Sequence, residues 1–82
     1  MTKLTPEACR AARALLRWTM RDLSREANVA LTTVHQFENG LRASIRRVTE
    51  EKMTNAFASK GVEIVNKNGT GARLLQKERQ PG

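Results

Sequence analysis

Leu31, Thr32, His35 and Gln36 fall on one face of a helix and form the part of this sequence best suited to surface chemistry. The Gln amide donates and accepts hydrogen bonds at once, Thr sets a hydroxyl beside a methyl, and Leu offers apolar contact alone. Apart from a titratable His, the face is uncharged. Yet the 82-residue chain sets 15 Lys and Arg against eight Asp and Glu, for a net charge of +7. Ten of the 15 are Arg, whose planar fork suits phosphate oxygens. The face must therefore work by hydrogen bonding and shape, with charge applied from other positions.

Other chemistry finds little support. His35 is the single His, and a zinc site needs several ligands. Cys9 has no partner for an internal disulfide and no base placed to activate it, so it reads as a small packing residue. No Ser, His and Asp arrangement, carboxylate pair, phosphate loop or metal-ligand spacing stands out, and the expectation is a binding module with no enzymatic activity, metal or cofactor. The charge makes nucleic acid the first partner to consider. An anionic membrane surface is second, but no apolar run approaches a span and no basic helix carries a wide apolar face.

The elements that must position the face are legible from caps and periodicity. A chain of this length supports one small core, and 39% hydrophobic with 28% charged residues is ordinary for a folded domain. Thr5-Pro6-Glu7 reads as N-cap, first helical position and first-turn acid of a helix carrying Ala8, Ala11, Ala12, Leu15 and Leu16, to about Arg17. Thr19 caps a second helix with Asp22 near its start and Leu23 and Ala27 buried; Asn28, tolerant of the left-handed conformation, ends it. After a buried Val29, a third helix from about Leu31 to Asn39 turns Val34 and Phe37 inward before Gly40. A fourth, with Ile45, Val48, Met53, Ala56 and Phe57 apolar, ends near Lys60 and Gly61; Ser44 and Thr49 are its candidate caps, and Glu50 and Glu51 favour Thr49. Residues 62–65 and 72–75 read as two strands around an Asn- and Gly-rich turn.

Two short helices joined by a tight turn, the second showing polar residues outward, follow the helix-turn-helix plan. The run TMRDLSREANVALTTVHQFENG resembles that element in the Cro/repressor-type (XRE) family of bacterial and phage transcription regulators. Matching positions are Leu23, Ala27, Val29, Thr33, Val34, Phe37, Glu38 and Gly40. The opening CRAARALLRWT is similar to the family's first helix, and GVEIV to a strand of its short members. The chain departs from the pattern at Met20, Ser24, Asn28 and Ala30, where relatives usually carry a polar residue such as Gln, Ala, Gly, and Ser or Thr. The fold this implies is mainly α, a four-helix Cro/repressor-like helix-turn-helix domain over residues 1–61. A short β-hairpin follows at 62–75 and a disordered tail at 76–82.

The resemblance also implies roles. Base reading falls on Leu31, Thr32 and Gln36, with His35 at the edge; Gln36 can pair bidentately with adenine, and Thr32 and Leu31 can touch a thymine methyl. Thr33 falls near a phosphate. Phosphate or minor-groove contact is expected from Arg42, Arg46 and Arg47 after the recognition helix, and from Arg17, Thr19 and Arg21 at the start of its partner helix. Arg13 and Glu38 correspond to a buried ion pair that in parts of the family ties helix one to the recognition helix.

The expected function is thus a sequence-specific, double-stranded-DNA-binding regulator in the cytoplasm, at the nucleoid, with no signal peptide at its start. A hairpin of two short strands is marginal alone, so it is expected to pair two copies into a homodimer that reads an inverted repeat. The alternative for the hairpin is to fold back on its own helices. The alternative for the chain is an antitoxin-like protein-interaction module with secondary DNA binding.

Overall fold

A computed structural model describes residues 4–41, 45–65 and 71–74. The described chain is mainly helical, in the order α1 (Pro6–Leu16), α2 (Met20–Ala27), α3 (Leu31–Glu38), α4 (Arg47–Ala58), β1 (Val62–Val65) and β2 (Gly71–Leu74). Two features expected from sequence, the turn between the strands and the tail at 76–82, lie outside the described residues, as does Leu75.

Local hydrogen bonding sets the first two helices. Thr5 Oγ1 accepts from the Ala8 N–H at 3.1 Å, with Pro6 at the first position and Glu7 in the first turn. Thr19 and Asp22 form a reciprocal box: Thr19 Oγ1 accepts from the Asp22 N–H at 3.0 Å, and Asp22 Oδ2 accepts from the Thr19 N–H at 2.9 Å. Both helices end in left-handed residues, Arg17 and Asn28, each at φ 59°. The backbone bonds there follow the Schellman pattern, Arg17 to Ala14 with Trp18 to Arg13, and Asn28 to Arg25 with Val29 to Ser24. Helix α1 therefore closes at Leu16, with Arg17 as its terminator.

The three residues Asn28, Val29 and Ala30 connect α2 to α3. Ser24 Oγ donates to the Val29 carbonyl at 2.6 Å and pins this turn to α2. Val29 itself is only half-buried and packs on the rim of the core.

Helix α4 starts at Arg47 rather than after Thr49, because its first turn is fixed by distant contacts. The Glu50 N–H already bonds to the Arg46 carbonyl at 2.9 Å, and Glu50 Oε2 accepts from the Leu4 N–H at 2.9 Å across the domain. Ile45 packs against the core just ahead of it. Arg46 occupies the cap position without a side-chain cap bond; Ser44, the other candidate, lies outside the described residues. The helix closes at Ala58, and Gly61 follows at φ 83°.

One core unites the elements. Ala8, Cys9 and Ala12 from α1 meet Leu23 and Ala27 from α2, Val34 and Phe37 from α3, and Met53, Ala56 and Phe57 from α4. Trp18 stacks on Phe57 with ring centroids 5.9 Å apart. The expected apolar Leu15 and Val48 are instead exposed, at 39% and 53%. The strands pair antiparallel with Val62 opposite Leu74, Glu63 opposite Arg73, Ile64 opposite Ala72 and Val65 opposite Gly71. Strand alternation sends Val62 and Ile64 into the same core, while Glu63 turns outward to an ion pair with Arg73 at 2.9 Å. Both strands pack on α1, and β1 also on α4, so the hairpin's apolar side is covered by its own chain.

Candidate nucleic-acid interface

Val34, Phe37 and Glu38 are the buried residues of α3. Burying them turns the remaining side outward, with Thr32 and His35 exposed and Leu31, Thr33 and Gln36 half-buried. Gln36 lies one turn beyond Thr32 and shares its side of the helix.

Where the first turn of α2 meets this face there is an open hollow of about 460 Å³, lined by Thr19, Met20, Arg21, Leu31, Thr32 and His35. Five of these six are residues singled out from the sequence. The sixth, Met20, stands where relatives of the resembled family usually carry a polar side chain, and with Leu31 it adds apolar surface to the lining. Gln36, Thr33, Arg17, Arg46 and Arg47 are not part of its lining. No carboxylate is among the lining residues, so the fixed charge there is the cation of Arg21.

Arg17, Arg46 and Arg47 are exposed. Arg17 terminates α1, and Arg46 and Arg47 occupy the cap and first position of α4; Arg42 lies outside the described residues. Cations at the start of a helix are electrostatically adverse, because the N-terminal end of the dipole is positive, at about 0.3–1 kcal/mol each, and Glu50 in the first turn of α4 offsets part of that cost. An anion bound there would reverse the sign. The start of α3 also lacks a side-chain cap, since Ala30 has no hydroxyl to offer.

Behind the face, Glu38 is the one buried charged residue among those described, with a side chain closed to solvent. Its Oε1 accepts from Arg13 Nη2 at 2.7 Å, and its Oε2 accepts from Arg13 Nε at 2.8 Å and from the Cys9 thiol at 2.9 Å. Arg13 Nη1 donates to the Trp18 carbonyl at 2.9 Å, and Arg10 Nη1 to the Glu38 carbonyl at 2.6 Å. Three side chains of α1 thus hold the last residue of α3. The hydrogen bonds to Glu38 raise the Arg13 pKa above its ordinary value despite burial. Burial, then the carboxylate of Glu38, push the Cys9 thiol well above the ordinary thiol range, so it stays protonated and unreactive.

The parts of this network contributed by Cys9 and Arg10 were not read from sequence. A signal was present in the spacing, because residues 9, 10 and 13 lie on neighbouring positions of one helix, but nothing in it named Glu38 as their common partner. Among the described residues there is no group of His, Cys, Asp and Glu able to hold a metal. No described helix is long and apolar enough to cross a membrane. No protein-family model matches the chain, and a search of curated proteins returns no match.

Proposed function

We propose that the chain is a sequence-specific, double-stranded-DNA-binding regulator of the Cro/repressor type, with α2 and α3 as its helix-turn-helix and α3 laid in the major groove. The observation that carries the reading is the convergence of Thr19, Arg21, Leu31, Thr32 and His35 around one hollow between α2 and α3. It sets groups suited to base edges beside groups suited to the backbone, the combination a groove-reading helix requires. Gln36 and Thr32 take the base edges, Leu31 supplies apolar contact, and His35 borders them. Arg17, Thr19, Arg21 and Thr33 hold phosphates on one side, and Arg46 and Arg47 on the other. The adverse placement of Arg46 and Arg47 supports this division, since local electrostatics that disfavour the fold are expected where a ligand repays them.

Arg13 and Glu38 act structurally. They set the position of α3 without reaching the DNA, and add little net stability because desolvating both charges offsets their attraction.

A homodimer on an inverted repeat belongs to the reading, with recognition helices about 34 Å apart. The hairpin does not demand it, since Val62 and Ile64 are already covered within the chain; exposed Leu74 and Leu15 are what it leaves for a second copy. Sedimentation at micromolar concentration, with and without duplex, measures the stoichiometry, and a strict monomer on a single half-site removes the dimer from the account.

Selection of bound sequences from a random duplex library at a stated salt concentration tests the function. An enriched sequence is the expected result. Binding with no enrichment that disappears as salt rises would mean nonspecific electrostatic attachment.

A further inference from the structure

A helix leaves its last four carbonyls without partners of its own. In α3, three of them are met by the residues that follow directly. The His35 carbonyl accepts from the Asn39 N–H at 3.1 Å and from Asn39 Nδ2 at 2.8 Å, that of Gln36 from the Leu41 N–H at 2.8 Å, and that of Phe37 from the Gly40 N–H at 3.2 Å. The fourth, the carbonyl of Glu38, is met from another helix, by Arg10 Nη1 at 2.6 Å. This bond sets a cation at the negative end of the α3 dipole and spans 28 positions of sequence.

Glu38 is therefore gripped twice from α1, by its side chain and by its main chain. The bonds from Arg13 and Cys9 end on the carboxylate and constrain the helix through the torsions of a Glu side chain. The Arg10 bond acts on the backbone itself. Together they fix how far α3 is turned about its axis, and Gln36 lies two residues back in the same turn. An atom at the outer radius of a helix, about 5–6 Å from the axis, moves about 1 Å for a turn of about 10°. A recognition contact tolerates about 0.5 Å. The other end of α3 adds less restraint, since Ala30 makes no side-chain cap bond.

We propose that Arg10 is a positioning residue for base reading: by closing the Glu38 carbonyl from α1 it sets the rotation of α3, and with it the aim of Gln36. The inference rests on the DNA-binding reading above and adds to it a residue that acts without touching DNA. Arg10 thus differs in role from Arg17, Arg46 and Arg47, which hold phosphates.

The test compares the unaltered protein with Arg10→Ala, Arg10→Lys, Gln36→Ala and the Arg10→Ala, Gln36→Ala pair, at a temperature where circular dichroism shows all of them folded. Fluorescence anisotropy at several salt concentrations gives the ratio of affinities for the library-selected duplex and a scrambled one. Arg10→Ala lowers that ratio about fivefold, part of what a bidentate base contact contributes, and leaves the salt slope unchanged. Arg10→Lys, which keeps a cationic donor, restores most of it. In the Gln36→Ala background, Arg10→Ala has no further effect on the ratio. Without DNA, amide hydrogen exchange at Asn39, Gly40 and Leu41 quickens in Arg10→Ala relative to the amides of α2. An unchanged ratio, or an equal loss with and without Gln36, overturns the positioning role. So does a flattened salt slope, which would make Arg10 a phosphate contact. Exchange that stays unchanged in Arg10→Ala removes the positioning role and leaves sequence-specific binding intact. If the unaltered protein prefers no duplex over a scrambled one, the DNA-binding reading falls and the positioning role with it.

Discussion

Replacing Glu38 by Gln removes one charge from the domain and almost no volume, which isolates the electrostatics behind α3. The carboxylate accepts from two nitrogens of Arg13 and from the Cys9 thiol. An amide keeps one oxygen, so one limb of the Arg13 fork would meet an NH₂ group, donor against donor, and the guanidinium would lose its counter-charge. Removing one partner of a fully buried pair costs about 3–5 kcal/mol. Two features reduce that figure: Arg13 retains 17% side-chain exposure, so water reaches part of it, and its Nη1 keeps the Trp18 carbonyl. The expected loss is about 2–3 kcal/mol. For a domain of this size each kcal/mol shifts Tm by about 4–8 °C, so Tm should fall by about 10–20 °C. Urea unfolding followed by circular dichroism gives the free energy directly, with the slope unchanged if only stability has moved. The paired replacement Arg13→Met with Glu38→Met should recover most of the loss, because neither charge is then stranded. A Glu38→Gln loss below about 0.5 kcal/mol would refute the reasoning. So would a paired variant as unstable as the sum of its singles.

Further perturbations test other parts of the account. Asn28 sits at φ 59°, so Asn28→Ala should cost about 1 kcal/mol in thermal or urea unfolding while Asn28→Gly is neutral or slightly stabilising; equal stability of all three would contradict it. Arg46→Asp supplies α4 with the side-chain cap it lacks and should stabilise the fold by about 1 kcal/mol, while weakening binding to every duplex and flattening its salt dependence. A gain in stability with unchanged DNA affinity would remove Arg46 from the interface. Asp22 is held below the ordinary carboxylate range chiefly by the Thr19 N–H, then by the Thr19 hydroxyl and Arg25. Because the folded pKa is depressed, its stabilising contribution is fully present above about pH 4, the unfolded value, and is lost as pH falls through the folded one. Asp22→Asn should remove that part of the acid sensitivity of Tm, leaving a shallower decline below pH 4.

Legibility followed the range of the forces involved. Caps are local, so Thr5-Pro6-Glu7, the Thr19 and Asp22 box and the Asn28 stop could all be read within a few residues of where they act. Arg17 was harder, since Arg carries no preference for the left-handed conformation and its place as terminator follows from the chain's path into Trp18. The start of α4 was missed because the tie that fixes it, Leu4 to Glu50, spans 46 positions and Arg46 carries no cap signal. Leu15 and Val48 matched an apolar pattern without being buried, as periodicity gives a side of a helix but not how far the neighbouring elements cover it. In the hairpin, the two strands could be read from composition and the turn between them, but the fold-back onto the helices stood only as the alternative to dimer pairing, because the packing of β1 on α1 and α4 joins segments far apart in the chain. At the candidate site, the outward face of α3 was legible from the residues the helix had to bury. Met20 and its hollow were not, because that surface exists only once two helices are brought side by side.

Sequence-dependent affinity is the central claim, and the specificity ratio measures it most directly: binding to the library-selected duplex against a scrambled duplex of the same composition and length, titrated at one fixed salt concentration. A groove-reading regulator should show a ratio of about 10³ or more, and Gln36→Ala should lower it by relaxing one or two base positions. A ratio near one, with Gln36→Ala weakening both duplexes alike, would contradict the assignment.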